Sequence, residues 1–318
     1  MVLLSIIIPC YNCGLFLRQS LDKLLRQDLD NCEVILINDG SEDDTLSIIQ
    51  EYVNRYSNFV FVDQTNQGVS VARNNGIGKA TGRYIYFLDS DDELSDFSLE
   101  YIKSRIIRHT DYDIFGFGYK VKINTAQIID YCCTNYDSNL FSGKTALRLF
   151  LVGRLRLNIC SLAISRKLII NKKIYFEQGH SIGEDVLFIC KLLYATQSLK
   201  YFARHCFTYL IRANSVTGGG KFSGKNLETF EFLYSFFSKE NNTIGLERPV
   251  NYFLMLRWGR AFVSYMKSSA KDEDINHKLI RYGSIRFKSN YVGNIKMWFV
   301  MKCAALLPLS LLFRIFKK

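Results

Sequence analysis

The chain has 318 residues, of which 48% are hydrophobic and 22% are charged, so it can bury a large core in one large domain or two smaller ones. It carries 41 Lys and Arg against 30 Asp and Glu, a formal net charge of +11, which favours an anionic partner such as a phosphate substrate, a lipid surface or nucleic acid. Nine Cys residues, an odd number spread along the sequence, argue against a secreted disulfide framework and indicate a reducing compartment.

The positive charge is concentrated towards the C-terminal end. No Asp or Glu follows Asp274, whereas nine Lys and Arg residues do. Residues 297–316 are apolar, but their longest uncharged run of 11 residues is shorter than the ~20 that a spanning helix needs. We therefore expect this basic, apolar tail to lie on an anionic membrane surface, with no binding of nucleic acid. The alternative is a C-terminal helix packed on the core.

Strands and helices alternate through the first 88 residues. Short apolar runs predict strands, and apolar residues at helical spacing between them predict helices. The predicted strands cover 3–8, 34–37, 59–62 and 84–88, and the helices cover about 15–27, 42–53 and 69–80. We expect Pro9 to end the first strand and Ser41 to cap the second helix. This alternation is typical of right-handed βαβ units and predicts an α/β fold with a mostly parallel sheet and helices on both faces.

The pattern changes after a predicted helix at 99–108. Strands are predicted at 114–123, 126–132, 160–164 and 206–212, and helices at 145–152 and 183–195. From about residue 224 onward the apolar spacing is helical. We therefore divide the chain into an α/β domain over residues 1–220 and a helical C-terminal region over 221–318.

Polar residues follow three of the predicted strands. Pro9 and Tyr11 follow the first, Asp39 follows the second, and Asp89 to Asp91 follow the fourth. Ligands of open α/β sheets bind at the carboxyl ends of the strands, so these residues are expected to meet at one edge. Packed carboxylates repel one another, and a divalent cation relieves that repulsion. An acidic turn that caps the next helix is the alternative, but three polar sites on one edge favour a binding site.

Four blocks of sequence, in this order and at these separations, resemble family 2 glycosyltransferases of the GT-A fold. They are Ser5–Asn12, Glu33–Thr45, Asn66–Gly76 and Phe87–Asp92, and the last is similar to the metal motif of the family. A thinner likeness continues at residues 183–185 and 209–215. The resemblance implies a nucleotide-sugar-binding half at residues 1–110 and an acceptor half at 111–220.

The resemblance also implies roles for the residues at the sheet edge. Asp91 would bind Mn²⁺ or Mg²⁺ directly, and Asp89 would contact the ribose or the water shell of the ion. Asp39 would accept a hydrogen bond from the imide N–H of the base, which suits uridine or thymidine, with a UDP-sugar favoured. Tyr11 would pack against the base. Arg73 would meet phosphate or ribose. The full set implied to bind the nucleotide-sugar is Pro9, Tyr11, Asp39, Arg73, Asp89, Arg212 and Ser215.

A general base is implied by the acidic pair after Gly183. In this family the second residue of the pair usually removes the proton of the acceptor hydroxyl, so Asp185 is the expected base and Glu184 the alternate. Acidic residues in a first helical turn also stabilise the helix dipole, which is the structural alternative. Arg257-Trp258 follows Leu254, where processive members carry Gln, so transfer of a single sugar is expected.

Together these features predict an inverting, metal-assisted glycosyltransferase of cell-surface polysaccharide synthesis. It would be cytoplasmic, at the cytoplasmic face of the inner membrane, and would use a saccharide or lipid-linked acceptor. A nucleotidylyltransferase is an alternative, but it normally needs a Gly-rich, Arg-containing loop where residues 9–14 lie. A catalytically silent scaffold that binds nucleotide or membrane is another. Cys10 and Cys13 suit two ordinary thiols better than a redox or metal site, and His205 suits a structural role better than a ligand role.

Overall fold

The computed structural model describes residues 1–109, 111–123, 127–180, 182–211, 225–239, 244–267 and 272–283. The chain forms two compact units. The first comprises Met1–Phe150 and Arg154–Ala213, and the second comprises Leu151–Gly153 and Asn214–Lys318. The predicted division after residue 220, and the two halves predicted within residues 1–220, stay predictions.

Strands and helices alternate in the first unit as far as β4. Its elements are β1 (Leu4–Cys10), α1 (Gly14–Leu25), β2 (Cys32–Asp39), α2 (Thr45–Arg55), β3 (Phe59–Gln64), α3 (Val69–Lys79), β4 (Tyr84–Phe87), β5 (Glu93–Leu94), α4 (Ser98–Arg108), β6 (Ile114–Lys122), β7 (Ile128–Asp130), β8 (Leu140–Phe141), α5 (Gly143–Leu151), β9 (Leu162–Ser165), α6 (Arg166–Lys172), α7 (Glu184–Ala195) and β10 (Leu199–Leu210). The second unit contains α8 (Lys225–Ser238), α9 (Glu247–Lys267) and α10 (Glu273–Gly283).

One sheet organises the first unit, with the strand order β3-β2-β1-β4-β9-β6-β10-β5. Parallel pairing joins β1 to β2 and β4, β2 to β3, and β6 to β10. In contrast, β9 is antiparallel to both of its neighbours, β4 and β6. Short strands add at the far side, β7 to β6 and β8 to β10, again antiparallel. The predicted α/β fold with a mostly parallel central sheet is confirmed.

The centre of the parallel half is buried on both faces. Nearly every residue of β1, β2 and β4 is buried, which explains why their sequences are continuous apolar runs rather than alternating patterns. α3 packs so closely on β1 that a Cβ atom on Gly76 would lie only 2.3 Å from Cγ2 of Ile7. A residue larger than glycine at this position would therefore push the helix away from the sheet.

Two predicted boundaries in this half are wrong. β1 continues through Pro9 to Cys10; its pairing with β4 ends at Ile7, so the missing N–H of Pro9 breaks no ladder bond on that side. α2 begins at Thr45 and Ser41 does not cap it, because the Ser41 hydroxyl instead accepts a hydrogen bond from the N–H of Asn12 at 3.0 Å. Ser41 therefore joins the loop after β2 to the loop after β1.

Aromatic packing holds the described helices of the second unit together. Trp258 of α9 is fully buried, its ring stacks on Phe262 with 5.0 Å between centroids, and its Nε1 donates a hydrogen bond to the carbonyl of Leu279 at 3.3 Å. Trp258 is therefore a core residue of this unit. Among the helices that the structure describes, none has both the length and the apolarity to cross a membrane. The basic, apolar tail lies outside the described residues.

Glu33 fastens the start of β2 to β1 and to the turn before β4. Its carboxylate accepts hydrogen bonds from the hydroxyl of Ser5 and from the backbone N–H groups of Thr81 and Gly82, the latter two at 2.7 and 3.1 Å. Burial alone would raise the pKa of Glu33, but these hydrogen bonds outweigh it and hold the pKa below its ordinary value. The ionised carboxylate therefore stabilises the fold above that pKa, and the contribution is lost as the pH falls through it.

We expect Glu33→Ala to lower the free energy of unfolding by about 1–2 kcal/mol at neutral pH, because two backbone N–H groups lose a charged acceptor. Urea unfolding followed by circular dichroism would measure the change. The difference from the wild type should shrink as the pH falls through the lowered pKa of Glu33, because the carboxylate then becomes protonated in the folded state too. The matched control is Glu42→Ala, whose carboxylate is exposed, and it should leave stability unchanged. Equal effects of the two substitutions would contradict the assignment.

Candidate active site

Asp39, the last residue of β2, organises the loop that leads into α3. It is buried, and its Oδ1 accepts hydrogen bonds from Nε2 of Gln64 and from the N–H of Gln67, both at 2.8 Å. Its Oδ2 accepts from the N–H of Gly68 at 2.9 Å. Gly68 has φ +86°, a conformation that suits glycine. Because a carboxylate offers about four acceptor positions, Asp39 can still accept one more donor.

Pro9 and Tyr11 lie beside Asp39 at the same sheet edge. The parallel register places Cys10 next to Asn38, so the residues that follow β1 and β2 are neighbours. Tyr11 is exposed, at 50% of its surface. Cys10 and Cys13 are buried free thiols, and the N–H of Cys13 donates to the hydroxyl of Thr45 at 2.9 Å.

The acidic stretch after β4 divides into two half-buried carboxylates and one buried carboxylate. Asp89 and Asp91 are half-buried, whereas Asp92 is only 1% exposed. Oδ1 of Asp92 accepts a hydrogen bond from the N–H of Leu210, the last residue of β10, at 3.2 Å. The N–H of Asp92 itself donates to the carbonyl of Asp89 at 3.1 Å and closes a turn. Asp92 therefore anchors the stretch to β10.

The donor set here fits a hard divalent cation. Mn²⁺ and Mg²⁺ prefer carboxylate oxygens, and Asp89 and Asp91 offer them at an accessible position. The thiol of Cys160 also lies close, with ligand atoms of Asp89, Asp92 and Cys160 all within 4.8 Å of one another. Burial and then the charges of the two carboxylates raise the pKa of Cys160 well above its ordinary value, so this thiol stays protonated. Carboxylate oxygens are thus the ligands available to a metal here.

A buried guanidinium lies behind these carboxylates. Arg73 of α3 is 4% exposed; its Nη2 lies 2.8 Å from Oδ1 of Asp89 and its Nη1 lies 3.3 Å from Oε1 of Glu184. Burial disfavours the charge, but the two carboxylates outweigh it and raise the pKa of Arg73 above its ordinary value. Arg73 therefore stays charged and joins the start of α7 to the loop after β4.

The position of Arg73 is fixed by a strap of chain that precedes α7. Asn74, its neighbour, exchanges two hydrogen bonds with the backbone of Phe176, each 2.9 Å long. The Phe176 ring stacks on Phe188 of α7 with 3.8 Å between centroids, and the Arg73 guanidinium lies 5.2 Å above it. α3 and α7 are thus held together directly beneath the candidate site.

The two acidic residues at the start of α7 differ in their surroundings. Glu184 is buried, and burial together with the charge of Asp185 raises its pKa, an effect that Arg73 opposes. Asp185 is half-buried and forms no ion pair with any residue that the structure describes; its Oδ1 accepts a hydrogen bond from the N–H of Val186 at 2.7 Å. Glu184 is therefore committed to Arg73, and Asp185 is the carboxylate with capacity for another partner.

The structure brings together most of the residues that the sequence singled out. Asp89, Arg73 and Glu184 are joined directly, and Asp39 lies beside the end of β1. Arg212 and Ser215 lie outside the described residues. The sequence reasoning missed Gln64 and Phe176. Gln64 could have been found, because it ends β3 in register with Asp39, whereas the contact of Phe176 with α3 spans 102 residues and has no local signal.

We expect Arg73→Met to lower the free energy of unfolding by about 3–5 kcal/mol, because it leaves two neighbouring carboxylates without their buried cation. Thermal and urea unfolding would measure this. The control is Arg55→Met: Arg55 is an exposed arginine, 3.8 Å from Glu51, and its loss should leave stability unchanged. If both variants unfolded like the wild type, the buried ion pairs would have no structural role.

Comparison with known proteins identifies the family. The family described as Glycosyl transferase family 2 matches residues 5–169. The uncharacterized glycosyltransferase YibD of Escherichia coli is 29% identical over 229 residues, which cover 70% of this chain and 66% of that protein. The minor teichoic acid biosynthesis protein GgaB of Bacillus subtilis is 30% identical over 204 residues, covering 62% of this chain and 21% of that protein. The matches cover 66%, 34% and 62% of the lengths of the first three curated relatives.

A solved structure gives the same fold. The structure of S. aureus TarS 1–349 in complex with UDP-GlcNAc superimposes with a TM-score of 0.73 at 19% identity, covering 99% of this chain and 88% of that one. This similarity confirms the predicted GT-A fold with a helical C-terminal region. Because the family match covers more than half of the 318 residues, the chain belongs to glycosyltransferase family 2.

Proposed function

We propose that this chain transfers a single sugar from a nucleotide-diphosphate sugar to a saccharide or lipid-linked acceptor, with inversion at the anomeric carbon. The observation that carries the proposal is the arrangement at one sheet edge of a buried acceptor carboxylate, two accessible carboxylates and an acidic helix start. The buried carboxylate is that of Asp39, and the accessible ones are those of Asp89 and Asp91. The helix start carries Asp185. Each group meets one requirement of the reaction: recognition of the base, stabilisation of the leaving diphosphate, and removal of a proton.

The donor is a UDP-sugar on this proposal. A uracil ring would stack on the exposed face of Tyr11 and donate its imide N–H to the remaining acceptor position of Asp39. A cytosine ring has an unprotonated nitrogen at the same place, so two acceptors would face each other and the base would be rejected. The likeness to TarS, which was solved with UDP-GlcNAc, supports this choice. Pro9, Arg212 and Ser215 complete the proposed contacts with the donor.

Asp91 and Asp89 would hold Mn²⁺ or Mg²⁺, and the ion would neutralise the charge of the departing diphosphate. Arg73 was expected to meet phosphate or ribose. Its burial and its two ion pairs favour a positioning role, in which it orients Asp89 beside the donor. Asp92 would support the same loop from β10.

Asp185 would act as the general base. The acceptor hydroxyl must lose its proton as its oxygen attacks the anomeric carbon, and a carboxylate within hydrogen-bond reach can accept that proton. Glu184 is paired with Arg73, which leaves Asp185 as the better candidate. Attack on the side opposite the leaving diphosphate gives inversion.

The acceptor is a glycan or lipid-linked glycan of the cell surface on this proposal. The name of the relative GgaB, which refers to teichoic acid biosynthesis, supports a cell-surface polymer. The basic end of the chain supports work at an anionic membrane surface, at the cytoplasmic face. Leu254 in place of the Gln of processive members supports transfer of one sugar at a time.

Thermal shift with a panel of nucleotide sugars and Mn²⁺ would test donor binding. We expect UDP-sugars to raise the melting temperature more than GDP- or CDP-sugars, because a ligand at 100 times its dissociation constant stabilises the fold by about 2.7 kcal/mol. Asp91→Asn should lose the metal-dependent part of the shift. Asp111→Asn, at an exposed carboxylate, is the control and should keep it. A full metal-dependent shift in Asp91→Asn would refute the metal assignment.

Steady-state kinetics would test the base. We expect Asp185→Asn to lower kcat by about 10²- to 10⁴-fold, because proton transfer in the transition state is lost, while the thermal shift caused by the donor stays as in the wild type. Glu184→Gln should instead lower the melting temperature through its contact with Arg73. Unchanged kcat in Asp185→Asn, together with lost kcat and an unchanged melting temperature in Glu184→Gln, would assign the base to Glu184.

A further inference from the structure

A second cluster of side chains of the types that bind metals lies on the far side of the sheet from β1. Ligand atoms of Asp130, Cys132 and His205 all lie within 4.8 Å of one another. Asp130 ends β7, Cys132 follows it, and His205 belongs to β10. β6 runs between these strands, and its pairing places Asp130 beside Lys120 and His205 beside Gly118. The three side chains therefore meet across the face of one central strand.

The absence of a side chain at Gly118 makes this meeting possible. A Cβ atom there would lie 2.0 Å from Sγ of Cys132 and 3.3 Å from the carbonyl oxygen of Arg204. The Cys132 thiol thus occupies the space that a side chain on β6 would otherwise fill. The irregular pairing of β10 with β6 at His205 shifts the register at the same level, which is typical of strands that re-aim a side chain.

His205 and Asp130 are in close contact. Nε2 of His205 lies 2.9 Å from Oδ2 of Asp130. Oδ1 of Asp130 is already occupied by the N–H of Cys132 at 2.7 Å. An imidazole nitrogen and a carboxylate oxygen this close together can both reach one cation.

We propose that Asp130, Cys132 and His205 bind a zinc ion. In a tetrahedral site with bonds of about 2.0–2.3 Å, neighbouring ligand atoms are roughly 3.3–3.6 Å apart, so small side-chain rotations suffice here. Thiolate and imidazole ligands select zinc over Mn²⁺ and Mg²⁺, which prefer oxygen. This site is therefore chemically different from the carboxylates at Asp89 and Asp91. On this proposal His205, for which the sequence favoured a structural role, is a metal ligand.

The fourth position of the zinc ion would face solvent. A cleft of about 580 Å³ lies beside the cluster and is lined in part by Asp130, Cys132, Cys133 and Arg156. Cys133 has other partners. Its Sγ accepts a hydrogen bond from the N–H of Arg156 at 3.2 Å, and its backbone N–H donates to the hydroxyl of Tyr201 at 3.0 Å. Water from the cleft would complete a three-ligand site.

The ion would join β7 to β10 across β6. Tyr131, between two of the ligands, stacks on Tyr119 of β6 with 5.1 Å between centroids, and Tyr119 stacks on Phe207 of β10 at 5.3 Å. Zinc would add a bonded link to this aromatic stack and hold the β6–β7 hairpin in place. Its expected contribution is structural, because the bound state exists only in the folded chain.

Metal counting on the full chain would test the proposal independently of glycosyl transfer. The untagged protein would be purified under reducing conditions, incubated with ZnCl₂, desalted and measured by mass spectrometry for zinc. We expect about one zinc per chain in the wild type, and a loss of affinity above about tenfold in Cys132→Ser and His205→Gln. Cys133→Ser, at the neighbouring half-buried thiol, is the matched control and should keep the zinc.

Two further measurements keep the outcome clear even if a ligand variant folds poorly. Co²⁺ in place of zinc should give a thiolate charge-transfer band in the wild type and in Cys133→Ser, and chelation should lower the melting temperature of the wild type. Asp91→Asn should keep its zinc, because that carboxylate belongs to the other site. The proposal is overturned if the wild type holds no zinc, if Cys133→Ser loses as much as Cys132→Ser, or if the zinc is lost in Asp91→Asn.

Discussion

A buried guanidinium between two carboxylates is the interaction on which the candidate active site depends. Arg73 joins residues 16 and 111 positions away in the sequence, and so connects α3, the loop after β4 and the start of α7. Burying one charge alone would cost several kcal/mol, but three paired groups offset much of that cost. The removal of any one of the three would leave a charge without its partner in a largely buried position.

The sheet of the first unit consists of two sets of strands. The parallel strands β1, β2 and β4 end at one edge, and each contributes polar residues from the loop that follows it. The antiparallel strand β9 then separates β4 from β6 and begins a second set of strands. The carboxylate site belongs to the first set, and the proposed zinc site to the second.

The sequence predicts the parallel half well because the signals that mark its strands and helices lie within short segments. Apolar runs mark the strands, and parallel strands end on one side, so the neighbourhood of Tyr11 and Asp39 follows from topology. The ion pair of Arg73 with Glu184 could not be predicted, because nothing in either segment indicates the other. The predicted start of α2 was wrong because the Ser41 hydroxyl, expected to cap this helix, instead accepts a hydrogen bond from Asn12, which is distant in the sequence. The order of the second set was open, since β5, β7 and β8 contain only two or three residues each.

The hydrogen bond between Asp92 and Leu210 joins the acidic loop, residues 88–92, to the end of β10. The loop begins at Leu88, whose N–H donates a hydrogen bond to the carbonyl of Ile7. A rotation of the loop about this point would displace Asp92 and, through the hydrogen bond, Leu210, which lies 118 residues further along the chain. The position of the acidic loop and the position of the end of β10 are therefore linked through this hydrogen bond. A substitution at Leu210 that displaces its N–H would alter the loop without touching a single charged group.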